Sequence, residues 1–248
     1  MALRKGLPLI GPISGPVRIA FLHIPKCGGT TFYNVLERML QARIPEIVCV
    51  TDINFEKSSA DTQRAWFESE KLFIHGHKSF QSIRYAGFDL REFTTIALVR
   101  EPLDRRISEF YFEQRHGIGL NTFLHASTFN YISTNIDLET RGHPIDFIVP
   151  MEQIDLAFFY LAIKMGLPLP LYTPQNSNIA KISGILPLEK KEFHKRNSKD
   201  RRLYRKIAKN FDKKITEQGI RFAREWYDFR KILATSRITA DGISLIDI

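Results

Sequence analysis

Cysteine is nearly missing from this 248-residue chain: Cys27 and Cys49 are the only two. That is too few for a disulfide framework, and they lack the paired spacing of a zinc site, so a reducing compartment is the simpler setting. Long apolar runs are missing too. No window approaches the roughly 20 consecutive apolar residues that span a bilayer. The first sixteen residues carry Arg4 and Lys5 but are broken by Pro8, Gly11, Pro12, Gly15 and Pro16, so they do not read as a signal peptide. Without a leader or a span, the chain reads as a soluble, cytoplasmic protein. Internal repeats and low-complexity tracts are absent, and nothing points to a repeat architecture. Acidic residues are in short supply, 27 against 36 Lys and Arg. The net charge of +9 and sequence pI near 9.6 favour anionic partners: nucleotides, nucleic acid, acidic glycans or an anionic membrane surface. Charge alone does not choose among them.

What is present is ordinary globular material, 44% apolar and 25% charged, enough for one good-sized core. Residues 17–233 read as a single domain, with a flexible segment at 1–16 and a loosely ordered tail at 234–248. Val17 to His23 is a compact apolar run rich in β-formers. Pro25, Gly28 and Gly29 follow, and then the helical spacing Phe32, Val35, Leu36, Met39, Leu40. Further strands are expected at Ile47 to Thr51, Leu72 to Gly76, Thr94 to Val99 and Phe147 to Val149, with helices at Asp61 to Ser69, Leu103 to Gln114 and Glu152 to Met165. This alternation argues for an α/β domain with a largely parallel sheet. Tyr172 to Gly184 is polar and reads as a loop. Leu188 to Lys231 is strongly basic and reads as one or two peripheral helices.

The segment Phe21 to Thr31, Phe-Leu-His-Ile-Pro-Lys-Cys-Gly-Gly-Thr-Thr, places a lysine, two glycines and two hydroxyls where a buried strand turns into a helix. Glycine lets backbone approach an anion, the first helical N–H groups are unpaired donors, and the helix dipole favours negative charge there. Lys26 adds a full charge, and Thr30 and Thr31 add hydroxyls. The usual nucleoside-triphosphatase loop puts lysine after the glycines; here Lys26 precedes them. A bland account, in which Gly28 and Gly29 only make a tight turn, leaves the lysine and threonines unexplained.

The strand Thr94 to Val99 runs into Arg100, Glu101 and Pro102 and then an amphipathic helix. Arg100 thus stands at a strand's carboxyl end, where open α/β sheets bind ligands and a guanidinium can clamp a phosphate. Ser108, about two helical turns further, adds a hydroxyl if the helix passes beside the ligand. The alternative for an isolated arginine is pairing with Glu101 or Asp104. No aspartate closes this strand, whereas a phosphoryl-transfer enzyme normally has an acidic magnesium ligand in such a place. Between these segments, Leu72 to Phe80 carries His75 and His77, which face one side of an extended chain. Imidazole suits a general base. Metal binding by two histidines without further clustered ligands and a structural hydrogen-bonding role are the alternatives.

Together the motifs resemble the sulfotransferases that use 3′-phosphoadenosine-5′-phosphosulfate (PAPS), in particular the heparan sulfate 2-O- and 6-O-sulfotransferase branch. His-Ile-Pro-Lys-Cys-Gly-Gly-Thr-Thr resembles the 5′-phosphosulfate loop, with Cys27 where that family usually has threonine or valine. Val99, Arg100, Glu101, Pro102, Arg105 and Ser108 resemble its 3′-phosphate motif, and Gly76-His77 a segment carrying the branch's proposed base. The resemblance implies a P-loop-like three-layer α/β fold with a central, mostly parallel sheet flanked by helices. It implies PAPS as donor and no metal, with Lys26, Cys27, Gly28, Gly29, Thr30, Thr31, Arg100 and Ser108 as donor contacts. His77, with His75 in reserve, and Lys26 would be the catalytic groups. Phe193 to Ser198 resembles a loop that closes over the nucleotide, making Ser198 a further contact. The implied acceptor is a carbohydrate, which the basic charge suits to an acidic one, and nucleic acid is not an expected partner. The enzyme alternative is a metal-dependent nucleoside or nucleotide kinase. A non-catalytic binder of nucleotide or acidic polymer is a third.

Overall fold

A computed structural model describes residues 15–113, 117–125, 129–172, 187–235 and 243–246. Along the chain these form β1 (Val17–Leu22), α1 (Gly29–Arg43), β2 (Val48–Thr51), α2 (Asp52–Lys57), α3 (Ala60–Glu68), β3 (Lys71–Gly76) and α4 (Ser79–Tyr85). Next come β4 (Thr94–Val99), α5 (Pro102–Glu113), α6 (Leu120–His125), α7 (Tyr131–Thr140), β5 (Phe147–Pro150), α8 (Ile154–Met165) and β6 (Leu169–Tyr172). The chain closes with α9 (Pro187–Arg196), α10 (Ser198–Thr216), α11 (Gly219–Thr235) and β7 (Ile243–Ile246).

β1 to β5 build one sheet in the order β2-β3-β1-β4-β5, every neighbouring pair parallel. The α/β architecture expected from strand–helix alternation is therefore present. β1 and β4 are buried along nearly their whole length, which is why they read as continuous apolar runs: a parallel sheet is covered on both faces. α1 turns Phe32, Val35, Leu36, Met39 and Leu40 onto the sheet, and Phe32 stacks on Phe158 of α8 at 5.1 Å. Phe147 of β5 meets Phe211 of α10 at 5.7 Å, so α10 is part of the core and not a peripheral addition.

The basic region holds three helices where one or two were expected, separated at Asn197 and at Glu217–Gln218, the last of them starting at Gly219, whose φ of 82° favours glycine. Within the C-terminal tail, β7 pairs antiparallel with β6, Tyr172 opposite Ile243. Beyond Tyr172, the segment read as a polar loop lies outside the described residues. No helix among the described residues is long and apolar enough to cross a membrane.

Candidate active site

All five parallel strands end on one edge, and Lys26, His77 and Arg100 lie in the chain just after three of those ends, of β1, β3 and β4. Leu22 lies opposite Gly76 in the β1–β3 register, and the His23 N–H donates to the Gly76 carbonyl at 2.8 Å. The two chains therefore leave the sheet side by side. From β1 the chain makes a tight turn, with the Cys27 N–H donating to the Ile24 carbonyl at 3.2 Å. Pro25 and Lys26 are its central pair. Lys26 has φ 67°, the left-handed value that the third position of a type II turn requires and that glycine normally fills. Gly28 follows at φ 80° and leads into α1. A Cβ on Gly29 would sit 2.0 Å from Cδ2 of His23, and one on Gly28 2.9 Å from Cγ of Met151. The glycines let the start of α1 close down on its neighbours as well as bend the chain.

Lys26 is half-buried, and its ammonium lies 3.5 Å from the centre of the Phe112 ring. Burial, then the nearby Arg100 and Arg105 cations, push its pKa below the usual lysine value, while Glu109 and Glu113 oppose the shift. Cys27 is fully buried, and burial pushes its thiol up to about 12, so any contact it offers a ligand comes from its backbone. Thr31 is buried and Thr30 half-buried at the head of α1.

Arg100 follows β4. Glu101 does not neutralise it: its carboxylate accepts from the Leu103 N–H at 2.7 Å and the Asp104 N–H at 3.1 Å, capping α5. Among the described residues the Arg100 guanidinium makes no hydrogen bond or ion pair, so the pairing alternative fails on geometry. Arg105, five residues on, is spent structurally: it donates to the Pro25 carbonyl at 3.4 Å and pairs with Glu109 at 2.9 Å. It thereby ties the Pro25–Lys26 turn to α5. Ser108 is half-buried on α5, one turn beyond Arg105.

The two histidines separate by environment. His75 is buried, stacks on Tyr33 at 4.2 Å and lies 4.0 Å from Glu37; burial lowers its pKa to about 4. His77 is exposed. Its Nδ1 lies 2.6 Å from the His23 carbonyl, which can only accept, so Nδ1 is the donor, and the neutral form of the ring has its lone pair on Nε2. Gly76 between them is pressed against Asp52, where a Cβ would lie 2.1 Å from the carboxyl carbon. Asp52 in turn accepts from the Lys78 N–H at 2.7 Å, fixing the chain just past His77.

Ser198 stands apart. Phe193 to Ser198 forms the end of α9, a single turn residue and the start of α10, and is not a loop. Ser198 lines an open groove of about 560 Å³ with Lys190, Lys191, His194, Lys195 and Arg201, and neither the Pro25–Lys26 turn nor Arg100 lines it. Sequence reasoning missed His23, Asp52 and the Glu152 carboxylate, which accepts from the Glu101 N–H at 3.1 Å and the Tyr204 hydroxyl at 2.8 Å. His23 stood in plain sight at the end of the first strand. No group of three or more His, Cys, Asp or Glu that could hold a metal occurs among the described residues.

Lys26, in the turn that leads into α1, and Arg100, after β4, lie close enough for their charges to interact, and among the described residues neither is paired with an acid; the His77 ring stacks on His23, which abuts the first residue of α1. A family model described as the sulfotransferase family matches residues 13–142, more than half of the chain, and the protein belongs to that family. Among curated relatives, the chain is similar to heparan sulfate 2-O-sulfotransferase hst-2 of Caenorhabditis elegans, 27% identical over 112 residues. The match takes in 42% of this chain and 34% of the relative, so it spans about a third of that protein's length. Among solved structures, a sulfotransferase from Alicyclobacillus acidocaldarius aligns at 13% identity and a TM-score of 0.44, over 77% of this chain and 96% of its own. Mouse sulfotransferase SULT7A1, crystallised with PAP, aligns at 13% identity and a TM-score of 0.40, over 72% and 63%.

Proposed function

We propose that this protein moves a sulfuryl group from PAPS to a hydroxyl of a carbohydrate acceptor, with His77 as base. The observation that carries the reading is that Lys26, in the turn that leads into α1, and Arg100, just after the adjoining strand β4, lie close enough for their charges to interact, and neither is paired with an acid among the described residues. Gly28, Gly29, Thr30 and Thr31 would seat the 5′-phosphosulfate, and Arg100 with Ser108 the 3′-phosphate. Cys27 would contribute backbone only, and Ser198, from the separate groove, only by approach of α9 and α10. His77 Nε2 takes the acceptor proton as its oxygen bonds to sulfur. Lys26 stabilises the charge left on the bridging oxygen as the sulfur–oxygen bond breaks.

An acidic glycan fits the charge distribution. Residues 187–216 carry twelve Lys and Arg against four Asp and Glu, a net +8 of the chain's +9. Asp200, one of the four, is buried and bonded to α7. A cytoplasmic setting accords with Cys27 and Cys49, both free thiols.

The test is calorimetric titration with 3′-phosphoadenosine-5′-phosphate (PAP) in chelator, with ATP as control, on wild type and on Lys26→Ala and Arg100→Ala. Metal-free binding that needs both residues and prefers the 3′-phosphate is expected. No binding, or equal preference for ATP, overturns the sulfotransferase reading in favour of a kinase.

A further inference from the structure

His23 belongs to no role so far, yet it touches both halves of the site. Its backbone carbonyl receives the His77 Nδ1 proton at 2.6 Å. Its ring lies on the His77 ring with centroids 4.4 Å apart and planes 25° from parallel. The opposite connection runs to the donor loop, because the Cα of Gly29 abuts the His23 ring so closely that a Cβ would fall 2.0 Å from Cδ2 and 2.5 Å from Nε2. Tyr33, one turn into α1, sits 6.0 Å from His23 and 4.2 Å from His75, so four rings form one continuous group: His77, His23, Tyr33 and His75.

We infer that His23 is a positioning residue for His77: its ring and carbonyl together hold the base in one tautomer and one orientation, and tie that orientation to Gly29, the first residue of α1. The inference rests on the reading of His77 as base. A hydrogen bond alone leaves an exposed imidazole free to swing about the Nδ1 contact. A flat neighbour on its face removes that freedom, and misplacement by about 1 Å costs on the order of 100-fold in rate. The supporting face must also stay neutral, since His77 becomes cationic on taking the acceptor proton, and a neutral π-face attracts a cation whereas a second imidazolium repels it. Burial, then the neighbouring His77, His75 and Lys26, lower the His23 pKa to about 3, so it remains neutral at working pH. The aromatic face is therefore the required property, and its nitrogens are not.

The experiment compares wild type with His23→Phe, which keeps the face, and His23→Ala and His23→Leu, which remove it. In the first arm, long-range proton–nitrogen correlation spectra of histidine-labelled protein with PAP bound report the His77 tautomer. A single Nδ1–H form is expected in wild type and His23→Phe, and a mixture of tautomers in His23→Ala and His23→Leu. In the second, kcat with a desulfated heparan chain as probe acceptor should fall about 100-fold in the two aliphatic variants, with PAP affinity held and His23→Phe close to wild type. A single tautomer in the aliphatic variants, or a His23→Phe as impaired as they are, overturns the inference. If instead His77→Ala keeps full activity, the base reading fails, and the tautomer spectra still decide whether His23 orders the ring. Leucine preserves volume, so the comparison survives an alanine variant that does not fold.

Discussion

Lys26 combines two costs in one residue. A non-glycine residue in the left-handed region is strained by about 1–3 kcal/mol, and the Lys26 ammonium is also partly desolvated beside Arg100 and Arg105. Strain at such a place is informative because glycine, which the turn prefers, would remove it. Lys26→Gly is therefore expected to unfold at an equal or higher temperature, with a gain of about 1 kcal/mol after glycine's own entropy is charged against it, while PAP binding weakens and turnover is lost. Thermal unfolding with calorimetry on the same samples checks it. A variant that loses stability and function together would mean the lysine is structural. Lys26, the glycines and Arg100 were readable because strand, turn and helix signals around them are local. His23 and Asp52 were not, because what they do depends on strands that meet only in the sheet: His23 on β3, Asp52 on Gly76 and Lys78.

At the scale of elements, the strands and long helices announced themselves by periodicity, whereas short helices such as α4 and α6 and the β6–β7 pair carry too few residues for a pattern to show. The joint between α7 and α10 was invisible for another reason: it is made of side chains capping a distant helix. Asp200, 2% exposed in α10, accepts from the Ile132 N–H at 2.9 Å and the Ser133 N–H at 2.8 Å, satisfying the free donors of the first turn of α7. Asn130, just before α7, returns the favour by accepting from the Lys199 N–H at 3.0 Å, and its own N–H donates to Asn197 at 3.0 Å. Asp200→Ala leaves two buried donors unmet, each costing about 1–3 kcal/mol. A loss of about 2–4 kcal/mol, or about 5–10 °C in Tm for a chain of this size, is expected. Asp200→Asn keeps one acceptor oxygen and should lose less. Denaturant unfolding of the three proteins measures both, and equal stability of the alanine variant with wild type would show the clamp to be idle.

For the whole molecule, stability and charge meet at acid pH. The chain is already at +9 with its histidines neutral, and the fold holds His23 neutral with a pKa near 3 and His75 near 4, both chiefly by burial, which also lowers His194. An unfolded chain protonates each near its ordinary value of 6.5. Between those limits the unfolded state binds more protons than the native one, so stability rises with pH there. The contribution of these two histidines is complete above about pH 6.5 and is lost as pH falls toward 4 and then 3. Each proton adds a slope of about 1.4 kcal/mol per pH unit, giving at most about 2.7 for the pair. Glu37, Glu101 and Glu139, raised above the usual carboxylate range mainly by burial, pull the other way once pH drops toward their range. The histidine signal is therefore read from about pH 6.5 downward for as long as those carboxylates stay ionised. Denaturant unfolding across that window should show stability falling with acid in wild type, and a slope shallower by about one proton in His23→Phe, which has nothing to protonate. Parallel slopes in the two proteins would mean that His23 titrates alike in both states, and that its ring is not shielded from water as its packing against Gly29 and His77 requires.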